Sequence, residues 1–305
     1  MPAPMSPRRG CCRLAERPGL AAVGMTRRRF VGVALAAPAG FALLGNSGNG
    51  PGFSWTGELT QGGWLRGKAP PGSIALALNG TPVPMAADAS FFIAFDRDAA
   101  PAHNLVATLA DGETTAALPL TVTPRAWQIE RVNTPMRPGA LPGEEYQRLR
   151  AEELRQIKAA RALDTGASGW RQDCVKPTPG RFSGRFGSQR IYQGKPGAYH
   201  SGLDIAGGAG TAFVAPADGT VILAAQNPFT LEGRLLMLDH GAGLNSAFLH
   251  CSEHLAGIGE TVRQGQTIGR IGATGRATGP HLHWSVKWRE ARLDPLLLLY
   301  PAAAR

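Results

Sequence analysis

The sequence predicts a mainly β protein: a small immunoglobulin-like β-sandwich, a connecting helix, and a C-terminal antiparallel β domain. Three observations carry this. The 305 residues include 40 Gly and 24 Pro, a turn-rich composition. Short aliphatic or β-branched runs alternate with Gly and Asn-Gly turn signals, which is the strand pattern. One stretch, 144–163, carries apolar residues at helical spacing. The length favours two domains, because single cores seldom grow much beyond about 250 residues. A hydrophobic content of 43% is enough for a sizeable core.

Residues 1–50 are expected to form an export segment. Thr26-Arg27-Arg28-Arg29-Phe30-Val31 resembles the twin-arginine signal, and residues 31–44 form an uncharged, Ala-rich apolar run. At about 14 residues that run is shorter than the roughly 20 a membrane-spanning helix needs. Ala37-Pro38-Ala39 has the small-x-small form of a cleavage site, and residues 45–52 are expected to be a flexible exit. The expected location is therefore the periplasm or cell envelope, with no stable membrane span after processing. Met25 directly precedes the motif; it is expected to be the true start, with residues 1–24 an over-called extension.

The net charge of +10 is not read as a nucleic-acid footprint. Residues 1–30 hold seven Arg against Glu16, leaving 25 basic and 21 acidic groups in the remainder. A mildly basic surface suits an anionic polymer.

The sandwich is expected over 53–125. Ile74-Ala75-Leu76-Ala77-Leu78 runs into Asn79-Gly80 and then Thr81-Pro82-Val83. Asn-Gly marks a hairpin because both central residues of a type I′ turn need positive φ. Residues 91–95, 105–109 and 114–122 supply further strands, the last two joined at Asp111-Gly112. His103 is expected in a solvated loop, and no titratable cluster marks a second site here. A linker over 126–175 is expected to contain the helix 144–163, with Glu144 and Glu145 at its start and Arg155, Lys158 and Arg161 toward its end, complementing the helix dipole.

From 176 to 305, short runs alternate with Gly turns and leave no room for crossover helices, so the domain is antiparallel. Its chemistry rests on His200-Ser201-Gly202-Leu203-Asp204 and His281-Leu282-His283. A His, a carboxylate and a second His are a ligand set for a divalent metal; zinc accepts nitrogen and oxygen, and three protein ligands leave a fourth position for water. If 281–283 is a strand, both imidazoles face one cavity.

H-x-G-x-D followed by H-x-H resembles the lysostaphin/LytM-type zinc metallopeptidases of bacterial cell walls. Further motifs follow in family order: Arg181-Phe182-Ser183-Gly184-Arg185-Phe186-Gly187, the run 210–221, Asp239-His240-Gly241-Ala242-Gly243, Phe248-Leu249-His250, and Gly279-Pro280-His281-Leu282-His283. The resemblance covers roughly 177–298. It implies a two-sheet catalytic core of duplicated hybrid motif with one zinc in a groove. His200, Asp204 and His283 map onto the zinc ligands. It further implies that His281 and His250 are catalytic without being ligands, one acting as base on a zinc-bound water and the other stabilising the oxyanion or orienting the water. The i, i+2 spacing favours His281 as the base; the sequence does not fix the choice. The implied activity is an exported zinc metalloendopeptidase that hydrolyses peptide cross-links of peptidoglycan, with stem peptides as partners. The implied bond is D-Ala to diaminopimelate, a glycine bridge staying open.

Two other functions compete. One is a non-catalytic relative that activates a wall amidase; such relatives have lost ligands or catalytic histidines, and all five positions are present here. The other is a carrier barrel, for which the hairpin tip lacks its Lys. Two departures stand out. Phe248 occupies a position where relatives often carry Tyr, and Gln193-Gly194 one where some carry Asn-Gly; the first is expected to change substrate contacts. His240 and His254 are expected to be structural or solvated. Cys174 and Cys251 are expected to be separate thiols more often than a pair, and Cys251 to point away from His250.

Overall fold

The computed structural model describes residues 46–49, 52–135 and 143–299. The export motif, the apolar run 31–44, the cleavage site at 37–39, Met25, Cys11 and Cys12 lie outside them. No helix among the described residues is long and apolar enough to cross a membrane.

The chain is mainly β. Its first part forms two four-stranded sheets. One runs in the order Asn46–Asn49, Ser54–Gly57, Trp64–Lys68, Ser90–Ala94; the other in the order Thr81–Pro82, Ser73–Leu78, Ala102–Leu109, Thr115–Thr121. Leu65, Phe91 and Ile93 of the first sheet and Leu105 and Ala107 of the second are fully buried in one core. The Asn79-Gly80 turn forms with φ of 51° and 78° and pairs Leu78 with Thr81, as type I′ geometry requires.

Two expectations fail here. Asn46–Asn49 pairs with Ser54–Gly57, so part of the expected flexible exit is an edge strand, held by main-chain bonds that need no side-chain pattern. His103 lies within Ala102–Leu109, not in a loop. It meets Asn79 Nδ2 at 2.8 Å and the Ala100 carbonyl at 2.9 Å, and packs edge-on against Phe95.

The helix spans Gly143–Arg161, with Glu144 and Glu145 in its first turn and Lys158 and Arg161 in its last. Ile157 and Ala160 pack on Leu223, Leu235, Met237 and Ala247 of the following sheet. Polar bonds fix it as well: Arg150 grips Glu232 through two nitrogens at 2.5 and 2.7 Å, and Glu153 accepts from Thr230 N and Oγ1. The bidentate pair is mostly shielded from water, and removing one partner would strand a charge. The expected linker also contributes a strand. Ile129–Val132 pairs in parallel with Gln189–Tyr192.

The second half is built on an eight-stranded sheet. Its main path runs Phe182–Gly184, Leu203–Ala206, His281–Trp288, Leu244–Cys251, Arg234–Asp239, Gly219–Ala224, Thr261–Val262, with Ala291–Leu293 beside His281–Trp288. A three-stranded sheet (Ala212–Val214, Thr267–Arg270, Glu253–His254) covers one face. Leu282, Trp284, Phe248 and Leu236 point into that side, and Phe248 stacks on Phe213 at 5.2 Å. The opposite face lies under the helix and opens into a cleft.

The two halves share a continuous core. Trp64 Nε1 donates to the Leu297 carbonyl at 3.0 Å, and Arg125 pairs with the buried Asp294 at 2.9 Å. Arg97, packed among Trp127 and Tyr199, donates from Nε and Nη2 to the Gly187 carbonyl at 3.2 and 3.1 Å.

Candidate metal centre

The site is assembled by strand register. Asp204 stands directly opposite His283 across one strand pair, and Leu249 stands opposite His283 across the other. Directly opposed residues are the closest side-chain neighbours in a sheet, so the register sets Asp204 beside His283, and His250 follows Leu249 on the other flank. His200 enters from the turn before Leu203–Ala206.

Asp204 Oδ1 lies 2.8 Å from His283 Nδ1 and 3.0 Å from His200 Nε2, and the two nitrogens are 3.1 Å apart. A tetrahedral zinc with bonds near 2.0–2.1 Å has ligand–ligand edges of about 3.3 Å. The three donors therefore need only a small outward shift to fit such an ion. These residues are the candidate metal-holding group among the described residues.

The tautomers fit as well. His200 Nδ1 faces the Arg185 carbonyl at 3.0 Å. A carbonyl can only accept, so Nδ1 carries a hydrogen and Nε2 is the nitrogen left facing inward, the arrangement usual for metal-facing imidazoles. Burial opposes charge on Asp204, but hydrogen bonds from His200 and His283 hold its carboxyl well below the usual carboxylate range. Burial is also the largest single effect on His200 and opposes its charge, but the bond to Asp204, that residue's charge and the Arg185 carbonyl together raise its pKa, whereas burial prevails at His283 and lowers it.

Gly202 is required by space. A Cβ there would lie 2.6 Å from His283 Nε2 and 2.6 Å from the Trp284 carbonyl. The glycine of H-x-G-x-D is thus the gap through which the second histidine reaches the site.

His281 and His250 stand beside the three donors. His281 Nδ1 donates to the Gly279 carbonyl at 2.9 Å, leaving Nε2 3.6 Å from Asp204 Oδ1. His250 Nδ1 donates to the Thr274 carbonyl at 2.8 Å, and its ring centroid is 5.0 Å from that of His281. Burial pushes the His250 imidazole down to about 4, so it is a neutral acceptor at physiological pH.

His250 reaches this face because its φ is +65°. Ala247 and Leu249 line the cleft by ordinary alternation; the left-handed residue then turns His250 to the same side, while Phe248 and Cys251 stay in the core. Strain of this kind persists where surrounding bonds enforce it, here His250 N to Glu232 O at 2.8 Å. Phe248 is therefore a core residue stacked on Phe213, and the expected substrate contact through its ring is corrected.

The remaining histidines differ. His240 is buried with both nitrogens engaged, Nδ1 by the Asp218 carbonyl at 2.7 Å and Nε2 by Ser246 Oγ at 2.8 Å. His254 lies in the short strand Glu253–His254, its Nε2 buried without a partner. Cys174 and Cys251 are unpaired, and burial pushes both thiols up to about 12. Gln193 sits exposed at a hairpin tip.

The cleft lined by His200, His250 and His283 measures about 820 Å³. Sequence reasoning missed its second wall, the helix face carrying Arg150, Leu154, Lys158 and Arg161; helical spacing marked the apolar stripe but not the sheet it would cover.

Residues 198–295 match the model of Peptidase family M23. The chain is 34% identical over 125 residues to the peptidoglycan DD-endopeptidase ShyA of Vibrio cholerae serotype O1, covering 41% of this chain and 29% of that protein. It is 32% identical over 132 residues to the murein hydrolase activator NlpD of Salmonella dublin, covering 43% and 32%. The chain thus spans about a third or less of the length of these relatives. A solved Pseudomonas aeruginosa structure, described as a peptidase M23, superposes over 80% of this chain and 96% of that one, with a TM-score of 0.61 and 26% identity. The histidines and the aspartate therefore sit within a Peptidase family M23 domain of the lysostaphin/LytM type, formed by residues 198–295 of this chain.

Proposed function

We propose that the protein is an exported zinc metalloendopeptidase that hydrolyses peptide cross-links of peptidoglycan. The observation that carries this is the convergence of His200, Asp204 and His283 on one point, with donor separations of 2.8–3.1 Å, beside two imidazoles whose Nε2 atoms are free to handle protons.

His200 Nε2, Asp204 Oδ1 and His283 Nδ1 would hold the ion. Zinc bound there supplies Lewis acidity, acidifying water and polarising the scissile carbonyl. The chain's own residues do the rest. Asp204 offsets positive charge at the site. The Arg185 carbonyl keeps His200 in the tautomer that presents Nε2 inward. His281, with Nδ1–H committed to Gly279, offers Nε2 as the base that takes a proton from the attacking water. His250, with Nδ1–H committed to Thr274, offers a second neutral Nε2 on the same side, where it orients the water or, once protonated, faces the developing oxyanion. Each such role typically contributes about 10²–10⁴-fold. The cleft accepts an extended peptide along the sheet.

A second reading, activation of a wall hydrolase, draws on the likeness to the murein hydrolase activator. Five intact positions favour catalysis. The likeness to a DD-endopeptidase favours D-Ala to diaminopimelate cross-links.

The test uses purified full-length protein. Wild type is expected to bind one zinc and clear sacculi, and His281→Ala to keep the zinc while losing about 10²–10⁴-fold in cleavage rate. Full activity in that variant removes His281 as base. Bound zinc without cleavage by wild type would favour the activator reading.

A further inference from the structure

Arg161 ends the helix and lines the cleft that contains the metal-centre histidines. Its Nη1 is buried with no hydrogen-bond partner. A buried guanidinium without a directly bonded anion is costly; Glu290 and Glu232 act on this one through their charge, and neither is hydrogen-bonded to Nη1. Two acidic side chains line the cleft, Glu232 and Glu290. Glu232 is gripped by Arg150 through two nitrogens, and Glu290 is bound to Lys287 at 2.8 Å.

The surroundings add positive charge. Lys158, Arg276, Arg289 and Arg292 line the same cleft. Burial lowers the Arg161 pKa to about 10; the charge of Arg292 adds to that shift, and those of Glu290 and Glu232 oppose it. Arg292 lies over the Tyr199 ring and donates from Nη1 to Tyr199 Oη at 3.4 Å.

We propose that Arg161, with Arg292 beside it, forms a carboxylate-binding subsite that selects peptide substrates carrying a free carboxylate beside the scissile bond. This rests on the endopeptidase reading of the same cleft. A carboxylate entering there meets the part of Arg161 that lines the cleft, offsets the positive charge around it and makes charge-assisted bonds, the strongest type available to a peptide. Arginine suits this because its planar fork accepts two carboxylate oxygens at once. The subsite binds and does not react, so its energy fixes which peptides lie in register with the metal centre.

The experiment compares two probes: a cross-linked stem-peptide dimer with its carboxylates free, and the same dimer with them amidated. Arg161→Gln in the zinc-loaded full-length protein is expected to raise KM for the free-acid dimer about 10–100-fold with little change in kcat. It should leave the amidated dimer unaffected, and Arg161→Lys should recover part of the loss. Equal losses on both dimers, or none on either, overturn the proposal. Zinc content and melting temperature identify a folding defect, in which case Arg161→Lys alone decides. Calorimetric binding of both dimers in a His281→Ala background reads the same selectivity without turnover. A chain that binds the free-acid dimer through Arg161 yet never cleaves it would refute the endopeptidase reading alone.

Discussion

The large sheet and the turns at its strand ends carry two kinds of histidine. His240, near one end, has both ring nitrogens answered, by a backbone carbonyl and by Ser246 Oγ. His250 and His281, at the cleft, have Nδ1 committed to the Thr274 and Gly279 carbonyls and Nε2 turned toward Asp204 and the metal-centre histidines. The residue type and the sheet are the same, so neither burial nor local sequence separates a packing histidine from a chemical one. What separates them is whether the second nitrogen has been given a fixed partner. A committed ring stabilises; a ring left open on one side is available for work and costs stability in return.

That contrast can be broken most severely at the metal centre. His283→Ala removes the donor that shares Asp204 with His200, and the variant is expected to retain no zinc after dialysis and to lose cleavage entirely. Metal analysis checks this, and retained stoichiometric zinc would remove His283 from the ligand set. A smaller effect is expected from Gly202→Ala, whose methyl would sit 2.6 Å from His283 Nε2. The ring must shift while its chemistry stays intact, so zinc affinity should fall about 10–100-fold, as when a metal ligand loses its support. Competition with a chelator measures it.

The smallest expected effect lies on the packing side of the comparison. Burial lowers the His240 pKa. Above the unfolded value near 6.5 both states are neutral there. As pH falls below that value the unfolded chain gains a proton that the folded chain refuses, so stability drops toward acid. His240→Gln should flatten this slope by at most about 1.4 kcal/mol per pH unit, read from denaturant unfolding at pH 7 and 5. An unchanged slope would show that His240 accepts protons in the folded state.

The site was legible in the sequence where spacing alone determines geometry. H-x-H on a strand must face one side, and Asn79-Gly80 must turn. The helix was legible from its stripe and its terminal charges. What escaped depends on distant pairing. Ile129–Val132 is short and mostly exposed, and its partner Gln189–Tyr192 lies some sixty positions on, so no local pattern announces it. The +65° φ of His250 escaped because nothing in a non-glycine residue signals a left-handed turn; that turn sets His250 on the cleft side while Phe248, two residues before it, stays in the core. The tautomer-setting carbonyls of Arg185, Thr274 and Gly279 are backbone atoms and leave no mark in side-chain identity.

Arg97 gives the first half of the chain a share in the metal centre. It holds the Gly187 carbonyl, and Gly187 N in turn holds the carbonyl of His200 at 2.8 Å. A side chain ninety positions upstream thus buttresses the loop that carries His200, one of the three candidate metal-holding residues. Trimming the protein to its most recognisable third would keep every donor atom and discard the brace behind one of them.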